Sequence, residues 1–528
     1  MSIEEFLLRL NAEAWHPISL RYTRFLCDNG FSVFSNSMAG AKRMRIVKTR
    51  VLIIGGGVTG AGIARDLALR GVNCAIVEKH DINAGASGAN HGLLHSGARY
   101  VSSDMHSAIE CRDEGRILKT MAPDCIEDTG GLFVAVAGDD ENYVAEFPEL
   151  CAKSGIPVKE LDTKEAREME PALSSKTIAA FQVQDASIGP FKLSMENIHQ
   201  ARTLGCDLLR HSQVVGFKID NKRITATKLK NLLTHEHFMV EADQVVNASG
   251  AWAKEIAALA GCQIDLLYSK GSLLVTHSRL TKRVINRLRP SSNADILVPG
   301  GTVSILGTTS IRIENLDAIF PTVKEIDAIV GEGAAMIPEL EMTRYIRAYA
   351  GVRPLVGTST EGGGRSISRS FSLIDHETEG LNNFATITGG KLTTYRLMAE
   401  KTADLVCARL GVTKPCKTRT EPLPTTPATR WTKPGSAPKL WIEHSDPRDL
   451  LLCECEMVPK SVVDSLVRSI HDQNGKPDLV ALGLRSRIGK GTCQGTFCAQ
   501  RIAAYLYDIE EMADKEGLEN IRAFVSER

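Results

Sequence analysis

The feature that most constrains the fold is a glycine motif directly after an apolar segment near residue 50. The segment VLII (51–54) suits a buried parallel strand. Three glycines follow it with the spacing G-x-G-x-x-G: Gly55, Gly57 and Gly60. The first glycine permits a tight turn, the second lets the backbone approach a pyrophosphate, and the third lets the next helix pack closely on the strand. The N-terminus of that helix would point its amides and its positive dipole end at the phosphates.

A second strand is predicted at residues 73–77, and Glu78 closes it. The carboxylate of Glu78 is placed to accept hydrogen bonds from the adenosine ribose hydroxyls, and it would repel the 2′-phosphate of NADP. Because strand, helix and terminal acid occur at the expected distances, the segment predicts a Rossmann-like dinucleotide site rather than a structural glycine turn.

Three further elements favour FAD over NAD. The segment 81–100, DINAGASGANHGLLHSGARY, includes Ser87 and is rich in small residues that let the backbone approach a large flat ring. The segment 245–253, VVNASGAWA, is a strand and a turn that contains Gly250. The segment 384–400, FATITGGKLTTYRLMAE, reads as a strand, a turn at Gly389 and Gly390, and a helix whose first amides can stabilise a reduced, anionic ring.

Composition bounds the function. A chain of 528 residues is too long for one core and predicts two or three domains. The formal net charge is zero, which argues against nucleic-acid binding. No apolar run is long enough to predict a transmembrane helix, and the acidic Glu4 and Glu5 argue against a signal peptide.

The expected domains are an N-terminal extension at 1–44, FAD-binding and substrate domains at 48–410, a Pro- and Thr-rich linker at 411–448, a cysteine module at 449–510 and a helix or tail at 511–528. The purpose of the extension is open, and Met44 is an alternative start.

Four of the thirteen cysteines form two pairs near the C-terminus: Cys453 with Cys455, and Cys493 with Cys498. Four thiolates suit either a tetrahedral zinc ion or a [2Fe–2S] cluster. The C-x-C spacing strains zinc geometry and favours the cluster, with zinc as the alternative. The remaining cysteines are expected to be packed thiols in a reducing compartment.

Six stretches carry a family resemblance in the order in which the family has them: HSGARY (95–100), KGSLLV (270–275), ILVPG (296–300), LGTTS (306–310), AGVRPL (350–355) and ITGGKLTTYR (387–396). Together they resemble the FAD-dependent glycerol-3-phosphate dehydrogenase family, within the D-amino-acid-oxidase-like group. The resemblance implies an α/β Rossmann-like FAD-binding domain interleaved with an α+β substrate domain. The cysteine tail resembles the bacterioferritin-associated ferredoxin-like [2Fe–2S] domain of the family's anaerobic, three-subunit branch.

That branch oxidises sn-glycerol 3-phosphate to dihydroxyacetone phosphate. The resemblance implies electron transfer from FAD through an iron–sulfur cluster and partner subunits to quinone in anaerobic respiration. The implied partners are a B-type flavoprotein and a membrane-bound iron–sulfur C-type subunit. The chain would then lie peripherally on the cytoplasmic side of the bacterial inner membrane.

The resemblance also implies site residues: Arg99 and Tyr100 in the HxGxRY signature, Arg353 in GVRP, Arg369 after it, and Lys391 in GGKLTTYR. Arginine and lysine suit a phosphate dianion. This sequence has His95-Ser96-Gly97 where the commoner signature is HGG, so it departs from that signature at Ser96. His95 is either the base that takes the substrate's hydroxyl proton or a packed, flavin-contacting histidine.

Two other functions stay open at this point. One keeps the flavin and changes the substrate to an amino acid or a 2-hydroxy acid, whose carboxylate needs fewer cations. The other is an electron-transfer subunit with a catalytically inert flavin.

Overall fold

Two large sheets share the chain between residues 46 and 389, and the chain passes back and forth between them. The computed structural model describes residues 44–317, 319–357, 370–424, 433, 435–444, 446–472 and 475–526. Residues 1–43 of the extension predicted at 1–44, and the candidate residue Arg369, lie outside the described residues. Strands and helices are numbered in chain order.

The first sheet has a parallel centre. Its eight strands are β1 (Ile46–Ile54), β2 (Cys74–Val77), β9 (Asp207–Leu209), β10 (Ser212–Asp220), β11 (Arg223–Asn231), β12 (His237–Asn247), β19 (Phe371–Asp375) and β20 (Phe384–Gly389). Strand β1 lies between β2 and β12 and runs parallel to both. Ile54 is opposite Val77 on one side and Asn247 on the other. The three strands therefore end together, and the loops that follow them meet at one edge of the sheet.

Three helices cover one face of this sheet: α1 (Val58–Leu69), α5 (Pro190–Thr203) and α8 (Tyr395–Arg409). Val51 and Ile53 of β1 are fully buried against α1 residues such as Ile63 and Leu67. The continuous apolar run at 51–54, the second half of β1, explains this, because a parallel strand in the middle of a sheet is buried on both faces.

The second sheet is mainly antiparallel. Its nine strands are β5 (Gly131–Val136), β6 (Lys159–Leu161), β7 (Thr177–Val183), β13 (Leu266–Thr276), β14 (Val284–Arg287), β15 (Ile296–Gly300), β16 (Val303–Gly307), β17 (Ile311–Ile313) and β18 (Tyr345–Val356). A small third sheet contains β3 (Leu93–Leu94), β4 (Ile126–Glu127) and β8 (Ala186–Ile188). Because segments of the two large sheets alternate along the chain, the interleaved fold class predicted from the sequence is confirmed.

The other helices of this catalytic unit, residues 44–424, lie at its surface or beside the second sheet. They are α2 (Met105–Met121), α3 (Glu141–Lys153), α4 (Thr163–Met169), α6 (Ala253–Leu259) and α7 (Val323–Ala334).

The first part of the predicted linker, residues 411–424, packs on the helices that precede it in the chain. Leu423 is buried, and its N–H donates to the carbonyl of Met121 at 2.8 Å. Arg65, itself buried, donates to the carbonyl of Glu421. A short helix, α9 (Ala437–His444), follows. Residues 411–424 are therefore anchored by contacts that a composition rich in Pro and Thr does not predict.

The cysteine module is a small unit with its own core. It contains β21 (Leu451–Cys453), β22 (Val458–Pro459), α10 (Lys460–Asp472), α11 (Leu479–Arg485), α12 (Cys498–Asp508) and α13 (Glu516–Ser526). Helix α13 buries Phe524 completely in the same apolar cluster as Ile470 and Leu506. The module consequently extends past the predicted boundary at residue 510, because its core needs the apolar face of the last helix.

Candidate active site

Both large sheets contribute walls to one cavity in the catalytic unit. Its volume is about 1260 Å³, larger than the roughly 300–1,000 Å³ usual for small-molecule sites. Ile54 and Val77 of the first sheet and Leu273 and Gly307 of the second line it. The cavity is large enough for an extended cofactor together with a small substrate.

The glycine motif forms the first part of the wall, which we call the glycine side. Gly55 has φ of +118°, a conformation that L side chains rarely adopt. A Cβ on Gly60 would lie 2.0 Å from the carbonyl oxygen of Gly55, so only glycine lets α1 start this close to β1. Helix α1 has Gly57 as its N-cap, without a side-chain cap. A helix N-terminus whose N-cap residue has no side chain can bind an anion such as a pyrophosphate at a cavity wall.

Glu78 and Ser87 complete the glycine side, and both line the cavity. The Glu78 carboxylate accepts hydrogen bonds from the N–H groups of Gly56 at 2.7 Å and His80 at 2.8 Å. These bonds orient the carboxylate and leave lone pairs for ribose hydroxyls. Ser87 Oγ accepts from the N–H of Val58 at 3.0 Å and thereby holds the 81–100 segment against the start of α1.

Three further glycines line the cavity in two neighbouring turns: Gly250, Gly389 and Gly390. All three have positive φ, between +61° and +81°. The hydroxyl of Thr388 donates to the carbonyl of Gly250 at 3.0 Å, which joins the two turns. The structure therefore brings together the predicted cofactor residues, with Gly60 behind the wall and the others on it.

Three cations line another part of the wall, which we call the cation side: Arg99, Arg353 and Lys391. Arg353 lies over Gly271 of the adjacent strand, where a Cβ would lie 2.6 Å from its guanidinium nitrogens. Its guanidinium donates to the carbonyl of Thr309 at 3.2 Å and to the hydroxyl of Thr308. Glycine at position 271 thus makes room for the arginine.

Lys391 and Arg99 are held in different ways. Lys391 Nζ donates to Ser107 Oγ at 2.9 Å and lies 4.8 Å from the centre of the Tyr100 ring. Arg99 forms an ion pair of 2.5 Å with Asp295, which is fully buried and also pairs with Arg289 at 2.9 Å. Arg289 also pairs with Glu332 at 2.8 Å, so two carboxylates balance the two arginines.

Two histidines, His91 and His95, line the cavity together with these cations. Burial, together with the charges of Arg353 and Arg99, lowers the pKa of His91 to about 3. Burial, then His91, Arg99 and Lys391, hold the pKa of His95 well below its usual value. His95 Nε2 lies 3.5 Å from the Tyr100 hydroxyl. Both rings are therefore neutral at pH 7 and face a region suited to an anion.

Sequence patterns alone did not single out His91, Asp295 or Thr308. His91 stands in the segment 81–100 that was assigned to the flavin, and Asp295 directly precedes the ILVPG stretch. Their positions in or next to these stretches were the available sequence signal for His91 and Asp295. Their roles could not be read from it, because Asp295 pairs with Arg99 and His91 lies near Arg353, both far away in the chain.

The four predicted cysteines come together in the cysteine module. Cys455 Sγ lies 3.9 Å from Cys453 Sγ and 3.6 Å from Cys493 Sγ, and Cys498 interacts with Cys453. A Cβ on Gly491 would lie 2.8 Å from Cys455 Sγ, so this glycine lets the second loop approach the first. The Cys453 thiol and burial raise the pKa of the Cys455 thiol. Thiolates at this place therefore need a bound cation.

The fold and the cavity define a class, the FAD dependent oxidoreductases, and the model of that family matches residues 50–405. The chain is 41% identical to the A subunit of the anaerobic glycerol-3-phosphate dehydrogenase of Escherichia coli K12, over 90% of this chain and 91% of that one. It is 37% identical to the A1 subunit of the same enzyme from Haloferax volcanii, over 86% of this chain and 82% of that one. The chain therefore belongs to the family of anaerobic glycerol-3-phosphate dehydrogenase A subunits.

A solved structure agrees on the fold. The glycerol-3-phosphate dehydrogenase of Bacillus halodurans, complexed with FAD, aligns with a TM-score of 0.62 at 20% identity, over 91% of this chain and 93% of that one. Since the match to the Escherichia coli protein spans 90% of the chain, it extends beyond the flavoprotein region at 50–405. Among the residues that the structure describes, no helix has both the length and the apolar character that a membrane crossing needs.

Proposed function

We propose that the protein oxidises sn-glycerol 3-phosphate to dihydroxyacetone phosphate. The observation that carries the proposal is the cation side, where Arg99, Arg353 and Lys391 line the same cavity as the glycine side. A phosphate monoester carries about two negative charges near neutral pH, and a partly closed pocket of arginine and lysine suits it. The name of the relatives, glycerol-3-phosphate dehydrogenase, agrees with this chemistry.

FAD fits the glycine side by the chemistry of its residues. The start of α1 at Gly57 would take the pyrophosphate, Glu78 the ribose hydroxyls, and the turns at Gly250 and Gly389 the edge of the ring. Bound there, FAD supplies a two-electron acceptor. The protein's own residues bind and orient the substrate and handle its proton.

The substrate loses a hydride from C2 and a proton from the hydroxyl on the same carbon. His95 is our candidate for the group that accepts the proton, because its ring is neutral at pH 7. A base with a low pKa is weak, but two negative charges on a bound phosphate would offset the cations that depress it. Substrate binding would thereby raise the basicity of His95 at the moment when the proton leaves.

Activity of the purified chain with an artificial electron acceptor tests the proposal. sn-Glycerol 3-phosphate should be oxidised, and dihydroxyacetone phosphate should form in equal amount. Turnover of amino acids or 2-hydroxy acids instead would contradict the substrate. No turnover of any of these by FAD-loaded protein would favour a non-catalytic electron-transfer subunit.

The cysteine site fits a [2Fe–2S] cluster better than zinc. Four sulfurs on one zinc ion, each about 2.3 Å from it, would all lie about 3.8 Å apart. Within the described part of the chain, no three of these four sulfurs lie mutually within 4.8 Å. An elongated set suits two irons with two thiolates each. The proposed role of the cluster is to receive electrons singly and pass them to partner subunits and quinone at the membrane, as the naming of the relatives as A subunits suggests.

Cys493→Ser tests the cysteine site separately. The variant should lose iron and the low-temperature EPR signal of the reduced protein, while FAD content and flavin reduction by substrate stay as in the unmodified chain. Cys151→Ser is the matched control, because Cys151 is a packed thiol outside the module. One equivalent of zinc and no iron in anaerobically purified protein would contradict the cluster.

A further inference from the structure

The cysteine module contacts the catalytic unit through four polar side chains, which we call the seat: Glu456, Arg487, Thr302 and Thr492. Glu456 follows Cys455 in the chain and is 4% exposed. Its carboxylate pairs with Arg487 of the module at 2.9 Å and accepts a hydrogen bond from Thr302 Oγ1 of the catalytic unit at 2.6 Å. Arg487 also donates to the carbonyl of Gly300 at 2.6 Å. The ion pair between Glu456 and Arg487, beside the cysteines, thus contacts the turn between β15 and β16 through both of its members.

The second cysteine loop makes its own contacts with the catalytic unit. Thr492, next to Cys493, donates from Oγ1 to the carbonyl of His277 at 3.0 Å. Lys490 Nζ lies 4.2 Å from the centre of the Phe191 ring. That ring also packs on Gly88, where a Cβ would lie 3.0 Å from its Cζ atom. Phe191 therefore touches the segment 81–100 and the cysteine loop at once.

The turn between β15 and β16 is directly connected to the cavity. Ile296, at the start of β15, lines the cavity wall, and Gly300, at the end of the same strand, contacts the module. Four steps along a strand span about 14 Å. The cavity wall and the seat are thus joined by one short, rigid hairpin.

We propose that Glu456, Arg487, Thr302 and Thr492 are positioning residues that hold the four-cysteine site beside the flavin cavity, so that electrons pass between the two within this chain. The proposal rests on the proposed function. Oxidation of one substrate yields two electrons, and a [2Fe–2S] cluster carries one at a time. With both groups bound, the two electrons would therefore leave the flavin in two successive steps. Each electron would pass to the cluster and then to a one-electron acceptor on a partner subunit. The proton that travelled with the hydride returns to solvent.

The test is a double variant, Thr302→Val with Thr492→Val, which keeps side-chain size and removes the two threonine hydrogen bonds across the seat, while the bond from Arg487 to Gly300 remains. The matched control is Thr225→Val with Thr234→Val, since both threonines are exposed and far from the module in sequence. Two lost hydrogen bonds should weaken docking roughly tenfold or more. Amide hydrogen exchange at residues 300–303 should accelerate by a similar factor in the double variant but not in the control.

The second readout is the rate of cluster reduction after flash photoreduction of the flavin with a deazaflavin. It should fall several-fold in the double variant while FAD and iron contents match the control. Unchanged exchange at the turn, or unchanged transfer, would overturn the proposal. Because photoreduction needs no substrate, failure of glycerol 3-phosphate to react would refute the proposed function and leave this measurement valid. A module that holds zinc would also overturn the proposal, because zinc does not carry electrons.

Discussion

The glycine side and the cation side of the cavity are built in different ways. On the glycine side, the residues from Gly55 to Ser87 are close in sequence, and their hydrogen bonds join backbone to neighbouring side chains. On the cation side, Arg99, Arg353 and Lys391 come from three distant segments and are positioned by long-range partners. A nucleotide cradle is therefore encoded by local backbone geometry, whereas the substrate pocket depends on how the two sheets pack.

The two sides also differ in charge. Glu78 places a carboxylate on the glycine side, whereas the cation side presents Arg99, Arg353 and Lys391. Burial and, after it, the charges of these cations lower the pKa of His91 and His95. A phosphorylated substrate is repelled by the first and attracted by the second. This difference in charge gives the phosphorylated substrate a preferred position at the cation side of a cavity that is large enough for both the cofactor and the substrate.

The largest expected effect is on the glycine side. Gly60→Ala should abolish FAD retention, because the new Cβ would lie 2.0 Å from the carbonyl oxygen of Gly55 and force α1 away from β1. The measurement is the flavin content of the purified protein, with circular dichroism to establish that the chain is folded.

Gly331→Ala is the matched control, since nothing lies within 4 Å of the added Cβ and the residue is in helix α7. This control should keep its flavin and gain about 0.5–1 kcal/mol of stability. A folded Gly60→Ala protein with full flavin would contradict the close approach on the glycine side.

A smaller effect is expected on the cation side. Arg353→Ala should lower kcat/KM for glycerol 3-phosphate roughly tenfold to a hundredfold, because a charge-assisted hydrogen bond contributes about 1.5–3 kcal/mol. FAD content should not change. Steady-state kinetics with an artificial acceptor measure the loss, and Arg312→Ala, on exposed β17, is the control. Equal kinetics in the two variants would remove Arg353 from the substrate pocket.

The smallest effect concerns the dependence of stability on pH. In the unfolded chain a histidine has a pKa of about 6.5, whereas the folded pKa of His91 is about 3. Between these values only the unfolded state binds the proton, so His91 destabilises the fold as the pH falls from about 6.5 towards 3 and has no such effect above that range. His91→Gln should flatten the slope by up to about 1.4 kcal/mol per pH unit.

Urea unfolding between pH 7 and pH 5 measures this slope, with the exposed His237→Gln as the control. An identical slope in the two variants would contradict the lowered pKa of His91, which burial and then the charges of Arg353 and Arg99 produce.

The same contrast explains what the sequence could predict. The fold class and the family followed from local patterns: an apolar strand, spaced glycines and a terminal acid within 28 residues, and short motifs in a fixed order. The role of Asp295 could not be predicted, since it depends on Arg99 and Arg289 meeting one buried carboxylate. The seat of the cysteine module was missed for the same reason. Glu456 and Thr302 are 154 positions apart, and neither belongs to a motif.

The most direct test of the account is anaerobic mixing of the FAD-loaded protein with sn-glycerol 3-phosphate, glycerol and glycine in parallel. The account predicts that the visible flavin absorbance bleaches with glycerol 3-phosphate and stays with the other two, because only the first carries the phosphate that the cation side binds. Equal bleaching by glycerol would contradict the phosphate pocket, and bleaching by glycine alone would contradict the substrate class.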